Sequence, residues 1–166
     1  FNFNNCRFEA GPNPARLDPW VLEGIQLRGT AANPAYVTDC TFDGLGYGIR
    51  VNRSASADNV GALIQDCDFV RLWSDGIVDT KDAVVNYCPS GTQVLDNFFR
   101  DWQSNAASIA LDIHADLYQH QGNTDGASRA GPTIRRNIAI SNYDVASWSF
   151  QCFFFDDSTG ASRLTG

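Results

Sequence analysis

Three short stretches of the chain share one pattern: NNCRF (Asn4–Phe8), TDCTF (Thr38–Phe42) and QDCDF (Gln65–Phe69). Each places a polar residue, a cysteine, a variable residue and a phenylalanine in the same order. Weaker copies follow as LDNFF (Leu95–Phe99) and RRNIA (Arg135–Ala139), so that successive copies are 34, 27, 30 and 40 residues apart. A period of this length predicts a repeat unit that stacks on copies of itself.

Each repeat unit contains three short apolar segments in which apolar residues lie two apart, with Gly, Asp and Asn between the segments. The third segments are GIQL at Gly24, GIRV at Gly48, GIVD at Gly76 and the looser SIAL at Ser108. Short strands that recur in one direction pair in parallel. The pattern therefore predicts an all-β fold, a right-handed parallel β-helix of about five rungs, with the handedness taken from the crossover rule.

The repeats align into columns of like residues. The reference column runs Cys6, Cys40, Cys67, Asn97 and Asn137, and the column two positions later runs Phe8, Phe42, Phe69, Phe99 and Ala139. The column three positions before the reference runs Phe3, Val37, Ile64, Val94 and Ile134. Free cysteine packs as a small apolar residue, so we predict an interior cysteine stack that two asparagines continue as a hydrogen-bonding ladder. We expect residues 1–166 to form one domain, and the coil to continue beyond both ends.

Charge and composition exclude several classes of partner. The chain has 12 Lys and Arg against 19 Asp and Glu, which gives a net charge of -7. This balance argues against a nucleic-acid partner. No apolar run approaches the roughly 20 residues that a membrane span needs, so we expect no membrane insertion. The five cysteines lack the paired spacing of a zinc site.

The NCxF and GIxV phrases resemble the β-helix repeats shared by pectate-lyase-like enzymes, polygalacturonases, alginate epimerases and phage tailspikes. A narrower resemblance lies in HADLYQ (His114–Gln119), followed by FQCFFFDD (Phe150–Asp157). It is similar to an H-x-D-x-x-Q stretch in bacterial β-helix repeat proteins that have no assigned mechanism. The resemblance implies the coil, but it implies no reaction. Because polysaccharides are met outside the cell, we expect an extracellular or surface-exposed location, on a bacterial or phage particle.

The connections after the third segment are the candidate site. When those segments are aligned on Gly24, Gly48, Gly76 and Ser108, the connections lengthen along the chain, and the last two cover residues 79–91 and 112–131. Loops that leave one corner of successive rungs form a wall beside a sheet, and such loops concentrate binding and catalytic residues. A groove of this kind suits an extended polysaccharide.

Polar residues of these connections are predicted to converge on two adjacent rungs, and both histidines of the chain lie in the longest connection. The candidate catalytic residues are His114, Asp112, Asp116 and Lys81. The candidate substrate-binding residues are Arg53, Asp79, Asp82, Tyr118, Gln119 and His120.

These residue types allow more than one chemistry. A polyuronate lyase needs a cation to neutralise the substrate carboxylate, a base such as His114 or Lys81, and an acid such as Tyr118. A glycoside hydrolase needs carboxylates at a set separation, for which Asp79, Asp82, Asp112 and Asp116 are the candidates. The expected cofactor is either none or Ca²⁺, which accepts the same oxygen ligands.

Structural roles compete with these functions. Aspartates at β-turns commonly cap the turn, which would account for Asp79 and Asp82. Two classes of function follow: a lyase, epimerase or hydrolase acting on a polysaccharide, or a non-catalytic carbohydrate-binding adhesin or tailspike shaft. Exposed apolar strips along the coil would favour the shaft, which would assemble as a homotrimer.

Overall fold

The computed structural model describes residues 1–10, 23–27, 33–51, 62–72, 74, 76–79, 91–101, 115–121, 132–140 and 150–156. At positions 78, 79, 115, 120, 121 and 150–156 the description covers the backbone. Within these ranges the regular elements are fifteen β-strands. None of these residues belongs to a helix long and apolar enough to cross a membrane.

The strands form three parallel five-stranded sheets, and each rung contributes one strand to each sheet. The first sheet contains β1 (Asn2–Asn4), β4 (Tyr36–Thr38), β7 (Leu63–Gln65), β10 (Gln93–Leu95) and β13 (Thr133–Arg135). The second contains β2 (Arg7–Glu9), β5 (Thr41–Asp43), β8 (Asp68–Val70), β11 (Phe98–Arg100) and β14 (Ile138–Ile140). The third contains β3 (Glu23–Leu27), β6 (Tyr47–Val51), β9 (Ile77–Asp79), β12 (Ala115–Gln121) and β15 (Phe150–Asp156). The predicted all-β parallel coil of about five rungs is confirmed.

The register of the sheets matches the predicted columns. In the first sheet Val37 pairs with Phe3 on one side and Ile64 on the other. In the second sheet, Phe42 pairs with Phe69, and both side chains are 0% exposed. The rings of Phe8, Phe42, Phe69 and Phe99 stack nearly parallel, with successive centroids 5.0, 5.0 and 4.7 Å apart. The apolar core is therefore built from like residues on successive rungs.

The corner between the first and second sheets depends on one left-handed residue in each rung. These residues are Asn5, Asp39, Asp66, Asp96 and Arg136, with φ between 53° and 57°. Asparagine and aspartate adopt this conformation more readily than other non-glycine residues, which explains the polar residue before each reference position. Each of the first four donates its backbone N–H to a carbonyl of the next rung, as Asp39 does to Gln65 at 3.2 Å. The corners thus continue the hydrogen bonding of the sheets.

The reference column behaves as predicted: cysteines pack inside and asparagines form a ladder. Cys40 and Cys67 are 1% and 2% exposed, and burial raises the pKa of the Cys67 thiol to about 12. Asn97 Oδ1 accepts the Cys67 N–H at 3.0 Å, and Asn97 Nδ2 donates to the Ile64 carbonyl at 3.1 Å. Asn137 Oδ1 accepts the Asn97 N–H at 2.9 Å. The asparagine amides therefore add hydrogen bonds between the backbones of successive rungs at this corner.

Candidate functional site

The structure corrects the third segment of the fourth rung. The sequence alignment places SIAL at Ser108 beside Gly76, but the strand that pairs with β9 is β12, with Tyr118 opposite Ile77 and His120 opposite Asp79. The alignment on Ser108 is therefore wrong. The predicted loop 112–131 contains the seven-residue strand Ala115–Gln121. β12 also pairs with β15, so partners on both sides determine its register.

This register makes two members of the predicted cluster neighbours. Asp79 and His120 are partners on neighbouring parallel strands, whose spacing is about 4.8 Å. By register both continue the column of Val51, which is 1% exposed. Within the described ranges, His120 is therefore the histidine that the fold places beside Asp79.

Two candidate residues of β12 are buried. Asp116 is 0% exposed and Tyr118 is 1% exposed, and Tyr118 belongs to the inward column that includes Ile49 and Ile77. Both side chains are therefore shielded from solvent, and the catalytic role of Asp116 and the substrate-binding role of Tyr118 stay predictions. Gln119 is half-buried and follows the buried Tyr118, as expected for an outward position on the strand.

The other candidates lie outside what the structure describes in full. Arg53, Lys81, Asp82, Asp112 and His114 fall outside the described residues, and at Asp79 and His120 the description covers the backbone. Their catalytic and substrate-binding roles stay predictions. Among the described residues, no group of three or more His, Cys, Asp or Glu side chains is arranged to hold a metal ion.

The outer face of the third sheet carries two polar residues that the sequence reasoning did not select, Gln26 and Arg50. Gln26 is exposed between the buried Ile25 and Leu27, and its register partner Arg50 is half-buried. Register extends this row through Val78 and Gln119 to Phe154. We call Gln26, Arg50, Val78, Gln119 and Phe154 the outer row. The sequence signal for it was the third position of the GIQL and GIRV phrases.

Arg50 is held in place by two neighbours. Its Nη2 lies 2.5 Å from Glu23 Oε1, and its guanidinium carbon lies 5.1 Å from the ring centroid of Tyr47. Tyr47 is buried, and it is the register partner of Glu23. The guanidinium therefore lies over an aromatic ring beside a carboxylate. The ring and the carboxylate limit its movement, and the carboxylate compensates its positive charge.

A second polar group missed by the sequence reasoning lies at the second sheet. Asp43 is 3% exposed, and its carboxylate accepts hydrogen bonds from Arg71 at 2.6 and 2.5 Å and from Arg7 at 2.5 Å. The hydrogen bond from Arg71 is the main reason that the pKa of Asp43 lies below its usual value. This group links three rungs and is an ion pair of the scaffold.

Asp43 makes stability depend on pH. Because its pKa is lowered in the folded state, its contribution is complete above the unfolded pKa of about 4 and is lost as pH falls through the folded pKa. Asp43→Asn is expected to cost about 2–3 kcal/mol at pH 7, since it leaves arginines facing a neutral group. Denaturant unfolding of both proteins from pH 7 to pH 3 should show this difference shrinking below about pH 4.

The matched control is Asp68→Asn. The Asp68 carboxylate also binds an arginine, Arg100 at 2.8 Å, but its side chain is 33% exposed. An exposed pair contributes about 0–1 kcal/mol, so this variant should lose much less stability. A difference between wild type and Asp43→Asn that stays constant from pH 7 to pH 3 would contradict the assignment.

Comparison of the chain with protein-family models, with curated protein sequences and with solved structures gives no match.

Proposed function

We propose that this chain is a polysaccharide-acting β-helix protein of the pectate-lyase-like type, which works outside the cell or on a phage particle. The polymer binds along the outer face of the third sheet. One observation carries the proposal: the outer row runs across all five strands of that sheet. A straight row with a repeat of about 4.8 Å suits an extended ligand better than a compact one.

The described polar groups of the row suit a polyhydroxyl ligand. Gln26 and Gln119 carry amides that both donate and accept hydrogen bonds, and Arg50 adds a fixed donor group. Sugar hydroxyls also donate and accept, so each amide can bind two of them. Rows on a rigid sheet hold these groups in place before the ligand arrives, which reduces the entropic cost of binding.

Catalysis in this proposal belongs to the predicted residues of the connections, Lys81, Asp112 and His114. A histidine exchanges protons with a reacting group near neutral pH, and a neighbouring carboxylate orients it. Asp79 and His120 are neighbours by register, but register also places them in the column of the buried Val51, so they receive no catalytic role.

The test measures binding and turnover together on a panel of polysaccharides. Turnover is followed as new reducing ends and as the ultraviolet absorbance of an unsaturated uronate. His114→Ala is expected to abolish turnover with binding retained. Gln119→Ala is expected to weaken binding about tenfold, since a lost hydrogen bond contributes roughly 1–1.5 kcal/mol.

Gln93→Ala is the matched control, because Gln93 is an exposed glutamine on the first sheet. It should change neither binding nor turnover, and circular dichroism should show all three variants folded. Binding without turnover in the wild type would support the non-catalytic adhesin or tailspike shaft. No binding to any polymer in the panel would refute the proposed function.

The shaft alternative has one observation in its favour. Ile138 and Ile140 on β14 are 60% and 51% exposed, and they lie on the outer face of the second sheet. Exposed apolar residues of this size are typical of contact surfaces between protein chains. An assembled trimer in sedimentation, together with binding but no turnover, would favour this alternative.

A further inference from the structure

The charge of the third sheet's outer face narrows the class of polymer. Arg50 is the cationic member of the outer row, and Glu23 compensates it at 2.5 Å. The two side chains are 16% and 22% exposed, so solvent screens their attraction less than it would at an open surface. A carboxylate or sulfate of a ligand would have to compete with Glu23 for the same guanidinium.

The other four positions of the outer row add no charge of either sign. Register places Gln26, Val78, Gln119 and Phe154 in the row with Arg50, and all four are uncharged residue types. An anionic polymer would also approach a chain whose net charge is -7. Charge repulsion of this kind slows association and lowers affinity for a polyanion, most strongly at low salt.

We propose that the ligand is a neutral polysaccharide, recognised through its hydroxyl groups by the amides of Gln26 and Gln119 and the compensated guanidinium of Arg50. This inference rests on the proposed function of the outer row. It also limits the chemistry. A neutral sugar lacks the carboxylate that acidifies the adjacent C–H bond, so β-elimination is not open to it. Cleavage would then be hydrolysis, in which water supplies the oxygen that replaces the broken glycosidic C–O bond.

Affinity electrophoresis in native gels tests this inference. Gels containing neutral polymers (a β-glucan, a galactomannan and a xylan) are compared with gels containing alginate or polygalacturonate, at low and at high salt. We expect stronger retardation in a neutral gel, unchanged by salt because no ion pairs form. Gln26→Ala and Gln119→Ala should each reduce the affinity about tenfold, and Gln93→Ala should not change it.

Glu23→Gln provides a second variant with the opposite expectation. It removes the carboxylate that compensates Arg50, so retardation in alginate should increase at low salt and fall at high salt. If this variant fails to gain any affinity for the acidic polymers, the charge argument is overturned.

The outcomes separate the two proposals. Stronger retardation of the wild type in a neutral gel supports the inference. Equal or stronger retardation in the acidic gels overturns the inference and leaves the proposed function standing. No retardation in any gel overturns the proposed function, and the inference with it.

Discussion

Phe69→Ala is expected to lower the free energy of unfolding by about 4 kcal/mol, because it removes a ring from the middle of the phenylalanine stack. Phe69 is 0% exposed, and its ring stacks on Phe42 at 5.0 Å and on Phe99 at 4.7 Å. Offset aromatic stacking adds to the burial of apolar area. Since the rungs on either side are hydrogen-bonded at fixed spacing, they cannot close the cavity that alanine leaves.

Denaturant unfolding followed by circular dichroism measures this loss. The control is Phe98→Ala, which removes the same ring from a half-buried outward position one residue before the stack. That variant should lose about 1–2 kcal/mol, in proportion to its smaller burial. Similar losses for the two variants would mean that the phenylalanine column does not dominate the packing of the core.

Gly48→Ala is expected to cost about 3 kcal/mol through overpacking. A Cβ atom at Gly48 would lie 2.6 Å from the Gly76 carbonyl oxygen and 2.8 Å from two ring atoms of Phe69. The nearest atom belongs to the backbone directly before the adjacent strand, where it accepts the Ile49 N–H at 2.9 Å, and the ring belongs to the core stack, so neither moves cheaply. Gly48 is not among the residues with positive φ, so the cost comes from space and not from backbone conformation.

Gly91→Ala is the matched control, because at Gly91 the cost would come from backbone conformation and not from crowding. Gly91 has a φ of 79°, and a Cβ there would meet nothing within 4 Å. Alanine in this conformation should cost about 1–2 kcal/mol through backbone strain. Comparing the unfolding free energies of both variants tests the explanation, because an equal or larger loss at Gly91 would show that close approach at Gly48 is not the larger of the two effects.

The site was less predictable than the coil, and Ser108 shows why. SIAL has the apolar spacing of the earlier third segments, so local pattern alone could not reject it. The choice depends on pairing across rungs, and Ala115–Gln121 forms a seven-residue strand with partners in both β9 and β15. Pairing on both sides satisfies the backbone groups of the strand, and this benefit appears only after the coil is assembled.

Asp43 illustrates the same limit for charged residues. A carboxylate is usually expected at the surface, and nothing near Asp43 in the sequence marks it as buried. Its partners Arg7 and Arg71 lie 36 and 28 residues away, and stacking of the rungs brings them together. The two arginines compensate the charge of this carboxylate and so offset the desolvation cost of burying it. Only the assembled structure brings these partners together.

The amino-acid sequence by itself determined the coil: the repeated CxF phrase, the apolar residue three positions before it and the polar residue that turns the corner are local features. They act through strand alternation and left-handed turn geometry, which each rung sets for itself. Only the tertiary structure decided which residues face each other across rungs, including Asp79 beside His120 and Arg50 beside Glu23. Connections of unequal length separate the rungs, so the neighbours of each residue depend on strand pairing and not on distance along the chain.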